Sequence, residues 1–247
     1  MTNTDWAGKK YWLVGASEGL GLALARQMAG AGADVILSAR SADRLAEVAA
    51  SIPRARWVAM DVGDSGSVTQ AAAQLGAIDG MVFLAGVYAP IKAQGWNAPE
   101  VEAMCNVNFT GLARVLGAVL PEMVARDRGH VVITGSLSGF RGLPGAIGYA
   151  ASKAGTMAMA ECLYADLRGT GVRVQLGNPG FIRTRLTDKN DFSMPFLMQP
   201  EQAAAEMMTL MTSPHFKRSF PTMFSWLFRG GNFLPDWLYY RIFAPKP

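Results

Sequence analysis

Lys10-Tyr11-Trp12-Leu13-Val14 runs directly into Gly15-Ala16-Ser17-Glu18-Gly19-Leu20-Gly21, and this junction decides the fold. Tyr11–Val14 lacks polar alternation, the pattern of a strand buried on both faces. The glycines follow in the spacing Gly-x3-Gly-x-Gly, and a helix-period segment, Leu20–Ala31, opens at the last of them. So tight a turn needs glycine where φ is positive and where a pyrophosphate approaches the backbone. The N–H groups and partial positive charge of the helix N-terminus then hold the phosphates. Gly15, Ser17, Glu18, Gly19, Leu20 and Gly21 are therefore candidate binding residues. A glycine-rich turn without a ligand is the alternative, and the position between a first strand and a first helix argues against it.

Outward from this junction, short apolar runs alternate with longer helical ones. Strands are predicted at Lys10–Val14, Asp34–Ser38, Ala55–Met60, Asp79–Leu84, His130–Thr134 and Val172–Leu176. Helices are predicted at Leu20–Ala31, Ala42–Ser51, Ser65–Leu75, Ala98–Arg126 and Gly148–Gly169. This β-α-β-α order implies an α/β fold, a doubly wound parallel sheet of the Rossmann type with helices on both faces. No repeat, low-complexity stretch or Gly/Pro/Ser-rich linker divides the chain, so residues 1–247 read as one domain.

Composition agrees. With 247 residues, half of them apolar, and a mean hydropathy of +0.15, the chain can fill a sizeable core and is not intrinsically disordered. Two cysteines, Cys105 and Cys162, exclude a disulfide scaffold, and no Cys/His spacing resembles a metal site. A reducing, cytoplasmic location is expected, since Met1–Lys10 lacks the apolar core of a secretory signal. No spanning helix is expected, because the best apolar stretch, Leu20–Ala39, is interrupted by Arg26 and Asp34.

The second strand ends Leu37-Ser38-Ala39-Arg40-Ser41. In dinucleotide folds an acid at this strand end binds the ribose 2′-hydroxyl, and an arginine accommodates a 2′-phosphate. With Ala39 where the acid would stand and Arg40 next, NADP(H) is expected in preference to NAD(H), which stays possible. A solvated charge at a helix start is the alternative for Arg40. Asp61, with Val62 beside it, ends the third strand where a carboxylate can accept from an adenine amino group. It could instead cap the following helix, a task also open to Asp64 and Ser65.

Gly129–Lys153 is the densest region. A strand ends at Gly135-Ser136, and Tyr149-Ala150-Ala151-Ser152-Lys153 opens a long apolar helix. Tyr149 and Lys153, at i and i+4, share a helix face. The ammonium is expected to favour phenolate and lower the tyrosine pKa, so that Tyr149 exchanges a proton with a carbonyl or alcohol oxygen. Ser136 would orient that oxygen. A Ser-His-Asp hydrolase is excluded: of the two histidines, His130 lies at the far end of the strand that leads to Ser136.

Together these residues resemble the short-chain dehydrogenase/reductase family over roughly residues 8–212. The resemblance rests on Gly15/Gly19/Gly21, Asp61, Asn106-Val107-Asn108-Phe109-Thr110-Gly111, Ser136, Tyr149-x3-Lys153 and Asn178-Pro179-Gly180. It implies a Ser–Tyr–Lys–Asn tetrad in which Tyr149 is the acid/base, Ser136 holds the substrate oxygen, Lys153 bonds the nicotinamide ribose, and Asn108 anchors a proton-relaying water. A core residue that bends its helix is the alternative for Asn108. The resemblance also implies nicotinamide contacts from Pro179, Gly180, Ile182 and Thr184. Glu18 departs from relatives that place a base there. The family's Thr before the first glycine is Val14, and its Asn-Asn-Ala-Gly reads Phe83-Leu84-Ala85-Gly86; an apolar packing substitute is expected, with Ala85 and Gly86 still allowing close cofactor approach.

Substrate specificity is expected in Leu186–Gln199, where Phe192, Met194, Phe196, Leu197 and Met198 could line an apolar pocket. Residues 216–247 form an aromatic, basic extension with five bases against one acid, while the preceding 215 residues balance at 18 against 18. That distribution argues against a nucleic-acid stripe. Phe220, Phe224, Leu227 and Phe228 are expected on one helical face, and Leu234, Trp237, Leu238 and Ile242 on another. The extension is expected to fold back over the active-site mouth or a neighbouring subunit, with peripheral membrane contact the less favoured alternative. The leading expectation is an NADP(H)-dependent reductase or dehydrogenase acting on a small apolar ketone, aldehyde or alcohol, as a homodimer or homotetramer. A catalytically idle NADP-binding scaffold and a dehydratase or isomerase of the same family are the alternatives.

Overall fold

The computed structural model describes residues 6–189 and 193–244. Seven parallel strands form one sheet: β1 (Lys10–Val14), β2 (Asp34–Ser38), β3 (Ala55–Trp57), β4 (Gly80–Phe83), β5 (Gly129–Thr134), β6 (Val172–Pro179) and β7 (Lys217–Phe220). Their order is β3-β2-β1-β4-β5-β6-β7. The chain winds outward from β1 to β3, then returns to β4 and winds the other way. The carboxyl ends of β1 and β4 therefore diverge into a crevice, the place where open α/β sheets bind ligands.

The helices are α1 (Gly19–Gly30), α2 (Ala42–Ala50), α3 (Ser65–Ala72), α4 (Ala98–Cys105), α5 (Gly111–Ala125), α6 (Ile147–Asp166), α7 (Pro200–Thr212), α8 (Thr222–Gly231) and α9 (Asp236–Phe243). Successive strand residues point to opposite faces. Tyr11 and Leu13 enter one core with Leu24, Leu45 and Met207 from α1, α2 and α7. Trp12 and Val14 enter another with Val68, Val115 and Met157 from α3, α5 and α6. Both faces are apolar because both are covered. Val14 and Phe83, in the positions where the family carries polar groups, are buried here, and Leu84 N–H still bonds Val14 O at 2.8 Å.

Polar residues that reach the core are mostly paired, Thr134 Oγ1 and Asn178 Oδ1 being without a hydrogen-bond partner among the described residues. Trp12 Nε1 donates to Ser38 Oγ at 2.9 Å, and Ser38 Oγ donates onward to Val58 O at 2.7 Å. At the amino end of the sheet, Tyr11 Oη lies 2.8 Å from His130 Nδ1, and His130 Nε2 lies 2.9 Å from Gln175 Oε1.

Some expectations need correction. β3 stops at Trp57, and β6 continues to Pro179. β7 was not foreseen: it is a short edge strand with Phe220 as its one buried residue, so it carries no apolar pattern. The helix expected at Ala98–Arg126 is interrupted by a π-helical turn, Asn106–Thr110. Ala98–Ala125 taken together is long and apolar enough to cross a membrane by composition, contrary to expectation. Its apolar face is nonetheless committed to the domain core through Leu112, Val115, Leu116, Val119 and Met123.

The extension after β7 folds back on the domain. Phe220 belongs to β7, so it shares no helical face with Phe224. In α9 the buried residue is Tyr239, while Trp237 and Ile242 stand exposed. The reason lies elsewhere in the chain. Arg141 stacks on the Tyr239 ring at 4.0 Å, donates to Gly231 O and Leu234 O, and pairs with Asp236. Tyr239 Oη donates to Gly142 O at 3.0 Å.

Candidate active site

A cleft of about 610 Å³ opens at the carboxyl ends of the central strands. Gly15, with φ +93°, leaves β1 so close to the neighbouring chain that a Cβ would lie 2.5 Å from Ala85 N. Glu18 occupies the N-cap of α1 but gives its helix no side-chain hydrogen bond, so the first N–H groups of α1 face the cleft uncapped. Ser17, Gly19, Leu20 and Gly21 complete this wall. Such a terminus suits phosphate.

Arg40 lines the cleft beside Ser41, exposed and without an ion pair among the described residues. Asp61 and Val62 line it next, with Asp61 Oδ1 accepting from Gly63 N–H at 2.8 Å. Asp64, not Asp61, caps α3, through the Ser67 N–H. Ala85, Gly86, Pro179, Gly180, Ile182 and Thr184 border the same space.

Ser136, Tyr149 and Lys153 converge on its floor. Ser136 follows β5 and is held by its own turn, its Oγ accepting from Ser138 N–H at 3.1 Å. Tyr149 and Lys153 share a face of α6, with Lys153 Nζ 5.9 Å from the phenol ring centre. Lys153 is buried and donates to Thr134 O at 2.9 Å, leaving two donors for a ligand. Burial lowers its pKa to about 8.

Tyr149 differs from expectation. Its pKa is raised: burial of the phenol outweighs the opposing hydrogen bond from Ser136, and Tyr88, edge-on at 5.1 Å, adds to the rise. The neutral phenol is thus the resting form, suited to donating a proton.

Asn108 does not line the cleft; it stands behind it, fully buried in the π-helical turn. Its Oδ1 accepts from Val87 N–H at 2.8 Å, while Nδ2 donates to Val87 O and to Ser152 Oγ, each at 3.0 Å. The side chain thereby clamps the loop after β4 to α6. A Cβ on Gly86 would sit 3.5 Å from Asn108 Oδ1 and 3.9 Å from Lys153 Nζ, so both groups border one small space.

Sequence reasoning missed Arg185, which bridges the cleft mouth to Glu18, and Thr134, whose buried Oγ1 has no hydrogen-bond partner among the described residues. A lone arginine after Thr184 carries no motif, so only the fold reveals it. Of the expected substrate loop, Leu186 borders the cleft, Met198 packs on the α1/α7 core, and Phe196 is exposed against the Phe224 ring. Phe192 lies outside the described residues.

The family model for short chain dehydrogenases matches residues 9–193. A Myxococcus xanthus protein described as an uncharacterized oxidoreductase is 37% identical, covering 92% of this chain and 93% of its own length. The 1-deoxy-11-beta-hydroxypentalenate dehydrogenase of Streptomyces avermitilis is 36% identical, covering 71% of this chain and 69% of its own. Among solved structures, a short chain dehydrogenase/reductase family protein superimposes with a TM-score of 0.81 at 29% identity, over 88% of this chain and 96% of its own. The closed form of a serine dehydrogenase complexed with NADP+ gives 0.78 at 25% identity, over 85% and 94%.

Proposed function

The chain belongs to the short-chain dehydrogenase family and is an oxidoreductase acting on CH–OH groups, and from that premise we propose that it uses NADP(H) to interconvert an apolar ketone or aldehyde and the corresponding alcohol. The observation that carries this reading is the convergence of Ser136, Tyr149 and Lys153 on the floor of a cleft whose upper wall is an uncapped helix N-terminus. The residues present fit a dinucleotide. The uncapped α1 terminus and Arg40 suit its phosphates, and Thr134, which lines the cleft and whose Oγ1 has no hydrogen-bond partner among the described residues, is a polar group a ligand could satisfy.

When bound, a nicotinamide cofactor supplies or accepts the hydride. The chain's own residues manage the oxygen. Ser136 donates a hydrogen bond to the substrate oxygen and fixes it against the phenol. Tyr149 gives that oxygen its proton in reduction and takes it back in oxidation. Lys153 directs its two remaining donors toward the cofactor ribose and places positive charge beside the phenolate formed on proton loss. Asn108 positions the loop bearing Gly86, and a water in the small space between Asn108 and Lys153 would return the proton from solvent.

Arg40 supports the preference for the 2′-phosphate. The apolar substrate class is supported by Leu186 at the cleft and by the aromatic cluster of Phe181, Phe196 and Phe224 at its rim. A homo-oligomer fits the exposed apolar residues Phe109 in the π-helical turn before α5, Val124 on α5 and Tyr164 on α6. Following oxidation of NADPH by its absorbance, across a panel of apolar ketones and alcohols, tests the reading. Turnover of an apolar carbonyl supports it; tight cofactor binding without turnover of any panel member would refute it.

A further inference from the structure

α8 and α9 form a hairpin whose inner side is fully occupied. Phe224 meets Phe228 at 5.0 Å, Phe228 meets Phe243 at 6.0 Å, and Tyr239 is buried against Gly231. The outer side is apolar too, yet it faces solvent. Met223, Trp226, Leu227, Phe233, Trp237 and Tyr240 are each between 48% and 90% exposed. Met223, Trp226 and Leu227 follow the spacing i, i+3, i+4, which makes them one stripe on α8.

The charge on this face is cationic. Arg229 lies 4.9 Å from the Trp226 ring centre, and Arg241 has no ion pair among the described residues. The hairpin's acid, Asp236, is already neutralised by Arg141. The hairpin that carries this face adjoins the cleft through its inner side, where Phe224 contacts both Phe196 and the position of Gly180.

We propose that this outer face docks the protein on an anionic lipid surface. Helices of 10 and 8 residues are about 15 and 12 Å long, too short to cross a hydrocarbon core of about 30 Å. They can lie in its plane, with tryptophan and tyrosine at headgroup depth and arginines reaching the phosphates. A second copy of the chain fits this face less well. A closed two-fold contact sets a patch against itself, bringing Arg229 and Arg241 against an equally cationic face with no unpaired acid among the described residues of α8 and α9. Anionic headgroups supply the negative charge that a second copy lacks. The entrance then opens beside the bilayer, a consequence that rests on the apolar substrate proposed above; the docking itself does not.

Vesicle flotation of the full chain tests this, using phosphatidylcholine vesicles with and without phosphatidylglycerol. The protein should float with the anionic vesicles and stay behind with the neutral ones. High salt should weaken binding. The triple variant Trp226→Ser, Phe233→Ser, Trp237→Ser changes only exposed side chains and should lose flotation while keeping cofactor affinity and melting temperature. The pair Arg229→Glu, Arg241→Glu should do the same through charge alone. Equal flotation with neutral vesicles, or none with either, would overturn the proposal. So would a triple variant that floats normally, or one whose only change is loss of a concentration-dependent dimer.

Discussion

Arg185 donates two hydrogen bonds to a single oxygen of Glu18, from Nε at 2.9 Å and Nη2 at 2.6 Å. One residue stands in the glycine-rich turn and the other in the segment after β6, so their pairing straps the cleft mouth. Thr184 reinforces the strap: a Cβ on Gly19, whose φ is +53°, would come within 2.9 Å of its Cγ2. On the proposed reading, a dinucleotide reaching the wall of α1 would pass this segment, and its entry or release would be restrained by the strap.

Removing the strap should therefore speed cofactor exchange more than it weakens binding. Both side chains are well exposed, so the pair contributes about 0.2–1 kcal/mol. Arg185→Ala should raise the cofactor dissociation rate by roughly 1.4- to 5-fold at low salt, with little difference from wild type at high salt. Stopped-flow measurement of cofactor fluorescence decides this; an unchanged dissociation rate at low salt would mean that the pair does not restrain the strap.

Arg40, proposed to meet the 2′-phosphate, would govern a different property. A charge-assisted contact to a 2′-phosphate contributes about 1.5–3 kcal/mol, or roughly ten- to a hundredfold in affinity. Arg40→Ala should lose most of the discrimination between NADPH and NADH by weakening the first and sparing the second. Titration of both cofactors against both proteins measures it. Equal affinities in the unmutated protein would contradict the assignment.

Tyr149→Phe removes the proton donor but no proposed cofactor contact from Lys153, so turnover should fall by several orders of magnitude with cofactor affinity preserved. Lys153→Met should damage both. The lysine adds a pH signature. Burial depresses its pKa to about 8, so the ammonium is present below that pH and lost as pH rises through it. Cofactor affinity should decline between about pH 7 and about pH 9 in wild type, and the lysine-dependent part of that decline should be absent in Lys153→Met.

The central strands were legible in the sequence because each is covered on both faces, which erases alternation and leaves runs such as Tyr11–Val14. The cleft was legible for a related reason: its glycines and Ser136 stand at strand ends, where residue type and position in the alternation coincide. What escaped depends on partners far along the chain. Arg185 acquires a role only opposite Glu18, and Tyr239 is buried only because Arg141 and Gly142 receive it. β7 is polar and takes its identity from the neighbouring β6. The i, i+4 spacing of Tyr149 and Lys153 placed the ammonium near the phenol correctly, but spacing carries no information about desolvation, which decides the direction of the tyrosine's shift.

The buried histidine makes the last prediction, on stability. His130 sits between Tyr11 and Gln175 with both ring nitrogens engaged, and burial, helped by Arg173, lowers its pKa to about 4. In the unfolded chain the ring titrates near 6.5. Between these values the unfolded state binds the extra proton, so the contribution of neutral His130 is fully present above about pH 6.5. It is lost as pH falls toward about 4. One proton gives a slope of at most about 1.4 kcal/mol per pH unit. Urea unfolding between about pH 6.5 and pH 5 should show this decline, before most carboxylates begin to titrate. His130→Gln should be less stable at neutral pH, since the geometry of its bonds to Tyr11 and Gln175 is lost, yet its stability should change less over the same interval. A variant as acid-sensitive as wild type would place the sensitivity elsewhere.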